Sequence, residues 1–168
     1  MKIQLALITS FLILSGCVNN PADRIVTKGP LICAADEVCP ELALRWNEET
    51  RDGFKITAEI NDSSAYDIKQ MVFLVDDQPY VYSTIDPTNN VTNAGVITSS
   101  NAIRVPVSFL NSFKDAKKID LKLVTDKQEI LRPILKENGE KSSAYLTFLK
   151  GYTNNNTRWC FKKYADIK

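Results

Sequence analysis

A strict alternation of apolar and polar residues between residues 54 and 61 is the feature that most restricts the fold of this chain. Successive side chains of a β-strand point to opposite faces, so a period of two predicts a strand with one buried face. Such a strand needs hydrogen-bonded neighbours and a second apolar layer over its inner face. The apolar positions that alternate are Phe54, Ile56, Ala58 and Ile60.

Comparable patterns along the chain predict about seven strands in total. The segment Asp76-Asp77-Gln78 consists of turn-forming residues followed by a proline, and it predicts a hairpin. Pro133 has no N–H to donate, so we expect its strand to lie at a sheet edge. The predicted strands cover residues 42–46, 54–61, 69–75, 79–85, 103–107, 119–124 and 130–135.

Two segments change to the spacing of an amphipathic helix. The first should begin at Ser108 as N-cap, and the second at Ser142 or Ser143. Two short helices among strands that follow one another directly favour antiparallel pairing. We therefore expect a mainly β (α+β) fold, an antiparallel sheet or β-sandwich of about seven strands with two short helices. The apolar helical positions are Phe109, Leu110, Phe113 and Ala116, then Tyr145, Phe148, Leu149 and Tyr152.

The N-terminus has the layout of a secretory signal. Lys2 provides the positive charge, residues 3–14 are mostly apolar, and small residues precede Cys17. The apolar run is shorter than the roughly 20 residues needed to span a bilayer. We therefore expect residues 1–16 to be removed as a signal peptide. No later apolar run in the sequence approaches membrane-spanning length.

The end of this signal, Leu14-Ser15-Gly16-Cys17, resembles the lipobox of bacterial lipoprotein precursors. The resemblance implies that Cys17 becomes the mature N-terminus, carries diacylglycerol by a thioether and is usually N-acylated. Two or three acyl chains would hold the protein on the lipid bilayer. Because Val18 replaces the Asp that retains enteric-type lipoproteins in the inner membrane, the resemblance implies the outer membrane, facing the periplasm. The alternative is an ordinary cleaved signal with a chance cysteine.

The rest of the chain has the length of one domain. Residues 17–30 contain little apolar material and are predicted to be a lipidated flexible tether, which leaves residues 31–168 as a single β-rich domain. Lys2 is the only charge in the signal, so 20 of the 21 basic residues remain against 20 acidic ones. This balance gives no electrostatic reason to expect nucleic acid or an anionic surface as a partner.

Three cysteines remain after Cys17, so at most one intramolecular disulfide can form. Loop-closure entropy favours a long bridge to Cys160, whereas the probability of encounter favours Cys33 with Cys39. We expect the Cys33–Cys39 bridge, because Pro40 and the strand that follows suggest that a short disulfide loop fixes the start of the fold. Its spacing differs from the Cys-x-x-Cys of redox-active pairs.

The chain contains no histidine, which removes Ser-His-Asp and Cys-His catalysis and histidine-rich zinc sites. Carboxylate pairs remain as candidates for acid–base chemistry. All of them fall in apparent turns or at strand ends, where solvated loop charge is the ordinary interpretation. The pairs are Asp36-Glu37, Glu48-Glu49 and Asp76-Asp77.

The sequence offers two candidate ligand sites. Asp86, Asn89 and Asn90 offer oxygen ligands for calcium, although their spacing matches no known loop. The other candidate is a platform of aromatic residues that could stack on a glycan. The alternative interpretation is that these residues are buried in the core. The platform residues are Trp46, Tyr66, Tyr80 and Tyr82.

These observations favour a non-catalytic module that binds another envelope protein as an adaptor or assembly subunit. We expect no catalytic residues, no metal and no cofactor. A lipoprotein that binds a small ligand or glycan is the alternative, and a histidine-free hydrolase is the least favoured interpretation. A concave aromatic pocket would favour ligand binding over protein binding.

Overall fold

The computed structural model describes residues 24–46 and 53–151. Within these residues the chain forms nine strands and two helices, which confirms the mainly β prediction. The strands are β1 Arg24–Pro30, β2 Glu41–Trp46, β3 Gly53–Asp62, β4 Ile68–Val75, β5 Gln78–Ser83, β6 Asn89–Asn93, β7 Val96–Pro106, β8 Ile119–Thr125 and β9 Glu129–Leu135. The helices are α1, Val107–Lys114, between β7 and β8, and α2, residues 143–151.

The strands form two antiparallel sheets that share one apolar core. Sheet 1 has the order β1-β2-β3-β7-β6, and sheet 2 has the order β5-β4-β8-β9. The inward positions of β3 are the alternating residues of the sequence pattern, and Ala58 and Ile60 are fully buried. As predicted, Pro133 lies on an edge strand, β9. The arrangement is that of a β-sandwich.

The predicted tether over residues 17–30 is wrong at its C-terminal end, because Arg24–Pro30 forms β1 and pairs with β2. The glycine and proline that favoured a linker belong to a strand backed by α2. A Cβ at Gly29 would lie 2.9 Å from the backbone nitrogen of Ala144, so only glycine permits this approach. The described domain therefore includes residues 24–30 as well. Cys17 lies outside the described residues.

Strand β6 is the other element that the sequence pattern missed. Its residues, Asn89–Asn93, are all exposed, so no alternation of burial marks them. A two-residue turn at Ala94 and Gly95, both with positive φ, pairs β6 with the first half of β7. This is the geometry of a tight hairpin turn.

The helices begin close to the predicted positions. Helix α1 starts two residues early, with its N-cap at the extended Pro106 and its first residue at Val107, so Ser108 lies inside the helix instead of capping it. Ser142 caps α2 as predicted, since the backbone nitrogen of Tyr145 donates to its Oγ at 3.2 Å. Tyr145 and Phe148 are buried on the predicted stripe, and Tyr152 lies outside the described residues.

The disulfide joins Cys33 to Cys39, as predicted, and closes the loop between β1 and β2. This loop lies along β9. The backbone nitrogen of Ile32 donates to the carbonyl oxygen of Pro133 at 3.1 Å, and the Nε of Arg132 donates to that of Val38 at 3.1 Å. The bridged loop therefore covers the outer edge of sheet 2. Cys160 lies outside the described residues.

Candidate interaction surface

The four aromatic residues of the proposed platform do not form a groove. Trp46 is 2% exposed and Tyr66 is 5% exposed, so both belong to the core. Tyr80 and Tyr82 share the inner face of β5, where each ring lies 5.3 Å from the ring of Phe109 in α1. Burial raises the pKa of Tyr82. These two tyrosine rings are half-buried and pack between sheet 2 and α1, as side chains at the margin of the core.

Tyr66 has a further bond that joins it to sheet 1. Its hydroxyl donates to Oδ2 of Asp62 at 2.6 Å. This hydrogen bond raises the pKa of Tyr66, because it favours the protonated phenol. The same bond, with the backbone N–H of Ser63, lowers the pKa of Asp62. The pair ties the end of β3 to the segment that crosses to sheet 2.

The carboxylate pairs have structural roles where the structure describes them. Oε2 of Glu37 accepts from the backbone nitrogen of Ala34 at 2.9 Å inside the disulfide loop. Asp76 and Asp77 form the β4–β5 turn, both with positive φ. Oδ1 of Asp76 accepts the backbone N–H groups of Lys117 and Lys118, each at 2.9 Å. Glu48-Glu49 lies outside the described residues.

The proposed calcium ligands do not converge. Asn89 and Asn90 are neighbours in β6, opposite Ser100 and Ser99, so their side chains point to opposite faces of sheet 1. The carbonyl oxygen of Asp86 accepts from Nδ2 of Asn101 at 3.0 Å. In the described part of the chain, no group of three or more His, Cys, Asp or Glu residues is placed to hold a metal ion.

Two depressions lie within or on the described part of the domain. An apolar cavity of about 20 Å³ lies between the sheets and is lined by residues that include Leu44, Phe73 and Phe148. It has the size of a water molecule, whereas small-molecule sites usually measure about 300 to 1,000 Å³. An open depression of about 590 Å³ lies between Asp77, Lys118 and Glu137. Lys118 is already paired there with Asp77 and Asp120.

The unusual surface is the one formed by residues 78–96, which we call the uncharged edge surface. Between residues 78 and 103 the chain carries a single charge, Asp86, although 24% of all residues are charged. Of the six exposed large aliphatic residues that the structure describes, four lie on this surface, and Ile85 is 87% exposed. Those four are Val81 on the outer face of sheet 2, Ile85 in the loop after β5, and Val91 and Val96 on the outer face of sheet 1.

The same surface contains two open sheet edges. Strand β5 is an edge of sheet 2 and β6 is an edge of sheet 1. The edge of β9 is covered by the disulfide loop, whereas α2 packs against the inner face of β1 at Gly29. Within the described residues, no backbone hydrogen bond joins the outer edge of β6 to another segment.

Open edges are usually protected from pairing with other chains. Natural proteins place lysine, proline or a bulge there. β5 has Pro79, but β6 has neither a charge nor a proline. The strand thus presents unpaired N–H and C=O groups beside exposed aliphatic side chains.

This surface was not predicted, although part of its signal is in the sequence. The gap in charge between residues 78 and 103 is visible there without any structure. The nearly equal totals of basic and acidic residues do not show how these charges are distributed along the chain. That the gap coincides with two open edges is visible only in the fold.

Comparison of the chain with known protein families, with curated proteins and with solved structures gave no match. Among the described residues, no helix has the length and apolar character needed to cross a membrane.

Proposed function

We propose that this chain is a membrane-anchored bacterial lipoprotein whose domain binds another protein of the cell envelope and carries out no catalysis. The observation that carries the proposal is the uncharged edge surface. Within it, the exposed Val91 and Val96 lie on one face beside the unprotected edge strand β6, and exposed apolar side chains grouped on soluble domains commonly mark interaction sites.

The anchor in this proposal is Cys17, for which the support is the lipobox-like segment Leu14-Ser15-Gly16-Cys17. Val18 after the cysteine favours the outer membrane with the domain facing the periplasm. The Cys33–Cys39 disulfide is consistent with that compartment, because disulfides persist in the oxidising periplasm.

The binding mode that fits the surface is strand addition to β6. In this mode an extended segment of the partner pairs with an open edge, and pockets or side chains on one face select it. Val91 lies opposite Thr98, on the outer face of sheet 1, and Val96 follows the turn on the same face. These two valines would contact the side chains of the added strand.

Cross-linking in the native envelope tests this function. A photo-reactive amino acid in place of Val91 should cross-link to one envelope protein, because its side chain lies at the open edge. The matched control replaces Leu131, an aliphatic residue of similar exposure on β9, whose edge is covered. We expect cross-links from position 91 and none to the same protein from position 131.

A second experiment measures affinity for the cross-linked protein with purified components. Val91→Lys introduces the charge that protected edges carry and should weaken binding at least tenfold, whereas Leu131→Lys should leave it unchanged. Equal binding by both variants, or equal cross-linking from both positions, would exclude β6 as the binding edge.

A further inference from the structure

Three basic residues stand side by side on the outer face of sheet 1. Arg45 of β2 lies opposite Lys55 of β3, and Lys55 lies opposite Arg104 of β7. Their neighbours along each strand are buried, so all three side chains point away from the core. We call these residues the basic row.

The basic row has no counter-charge in the described part of the chain. No ion pair or side-chain hydrogen bond involves any of its members there, whereas Glu41 and Glu59 of the same face are both paired with Lys28. Like charges directly opposite one another on a sheet are about 4.5 to 5.5 Å apart at Cβ and destabilise it. An external anion would relieve this repulsion.

The basic row lies where the chain leads to the proposed anchor. Ile25 pairs with Arg45, so the start of β1 lies beside the basic row. Only seven peptide units separate Cys17 from Arg24, which bounds their Cα separation at about 25 Å in any conformation. A lipidated Cys17 would therefore hold the basic row near the headgroups.

We infer that the basic row binds anionic phospholipid headgroups and thereby orients the domain on the membrane. This inference rests on the proposed lipid anchor. Each Lys or Arg near an anionic membrane surface adds to the attraction, which salt weakens. β6 pairs with Val96–Ser100, about 20 Å along β7 from Arg104. The open edge of β6 therefore lies at the other end of the face that carries the basic row.

The test uses the lipidated full-length mature protein reconstituted into vesicles. One set contains phosphatidylcholine alone, and the other also contains phosphatidylglycerol. Lysines are labelled with an amine-reactive reagent and quantified by peptide mass spectrometry. Lys55 should react several-fold more slowly on the anionic vesicles, and Lys122 of sheet 2 should react equally on both. At about 1 M salt, where the Debye length falls to about 3 Å, the difference should disappear.

Variants separate local contact from net charge. Arg45→Glu with Arg104→Glu keeps Lys55 as the probe and should abolish its protection. The control, Lys69→Glu with Lys127→Glu, changes the net charge equally on exposed lysines at the opposite end of the sandwich, and should retain the protection.

Each outcome decides a different point. Protein that floats with vesicles but shows the same Lys55 reactivity on both compositions overturns the inferred orientation and leaves the anchor intact. Protein that floats with neither vesicle lacks the anchor, and that result overturns the proposed anchor and this inference together. Protection lost equally in both double variants would show a net-charge effect and would also overturn the inference.

Discussion

The guanidinium of Arg132 donates a hydrogen bond from Nε to the carbonyl oxygen of Val38 at 3.1 Å and joins the disulfide loop to the edge strand β9. The same Nε lies 3.4 Å from Oε2 of Glu37. The bridge between Cys33 and Cys39 therefore does more than close a loop. It shapes the segment that covers one edge of sheet 2.

Cys33→Ala with Cys39→Ala should lower the free energy of unfolding by roughly 2 kcal/mol, the loop-entropy value for so short a ring. Loss of the ordered loop should also speed amide exchange at Ile32, whose N–H bonds to Pro133. Denaturant unfolding and hydrogen exchange measure the two effects. An unchanged amide exchange rate at Ile32 would show that the loop stays bound to β9 without the disulfide.

Phe148→Ala should destabilise the domain by roughly 3 to 5 kcal/mol, as expected for loss of a buried aromatic ring. The ring is 6% exposed and lies 6.4 Å from that of Trp46 and 6.3 Å from that of Phe54. Leu146→Ala is the matched control on the same helix, since Leu146 is 45% exposed. The control should stay within about 0.5 kcal/mol in denaturant melts, as should Lys150→Ala. Equal losses for Phe148 and Leu146 would contradict the packing of α2.

Asn101→Ala should destabilise the domain by about 1 to 3 kcal/mol, because it removes the buried amide whose hydrogen bonds join β7 to two carbonyl oxygens of other segments. Nδ2 of this buried residue donates to the carbonyl oxygens of Ile68 and Asp86, each at 3.0 Å. The second bond fixes the loop that leads to β6, so amide exchange should rise in residues 84–88. Asn61→Ala, at an exposed bond to Thr98, is the control and should have little effect.

Acidification should weaken the fold through the carboxylate of Asp62. Its hydrogen bond from Tyr66 lowers the pKa of Asp62 in the folded state, so the stabilisation is present above the unfolded pKa of about 3.9. It is lost as the pH falls through the lower folded pKa. Urea melts between about pH 6 and pH 2 should therefore show a weaker pH dependence for Asp62→Asn and for Tyr66→Phe than for the parent chain. A parallel pH dependence in all three proteins would contradict this role.

The two elements that the sequence analysis misjudged, β1 and β6, share a cause. Both are edge strands, and an edge strand does not need an apolar face to be held by its neighbour. Gly29 in β1 is required by the approach of α2, and Asn89–Asn93 is paired through the turn at Ala94 and Gly95. Neither contact leaves a periodic signal in the sequence.

The central strands and the helices, by contrast, were determined by local pattern. Ala58 and Ile60 alternate with polar neighbours because one face of β3 must be buried, and Ser142 accepts the N–H of Tyr145 because a helix start needs a cap. The nearby pairing of Cys33 with Cys39 was likewise inferred from their separation in the chain.

Only the tertiary structure decided which strands are edges and which edges remain open. The uncharged stretch around Val91 could have been a buried strand, since a lack of charge is equally typical of a core. Strand order places it at the margin of sheet 1, while the disulfide loop covers the β9 margin of sheet 2. Arg45, Lys55 and Arg104 are far apart in sequence, and register alone makes them neighbours. Local patterns report the burial of a residue, whereas pairing between distant segments determines its neighbours.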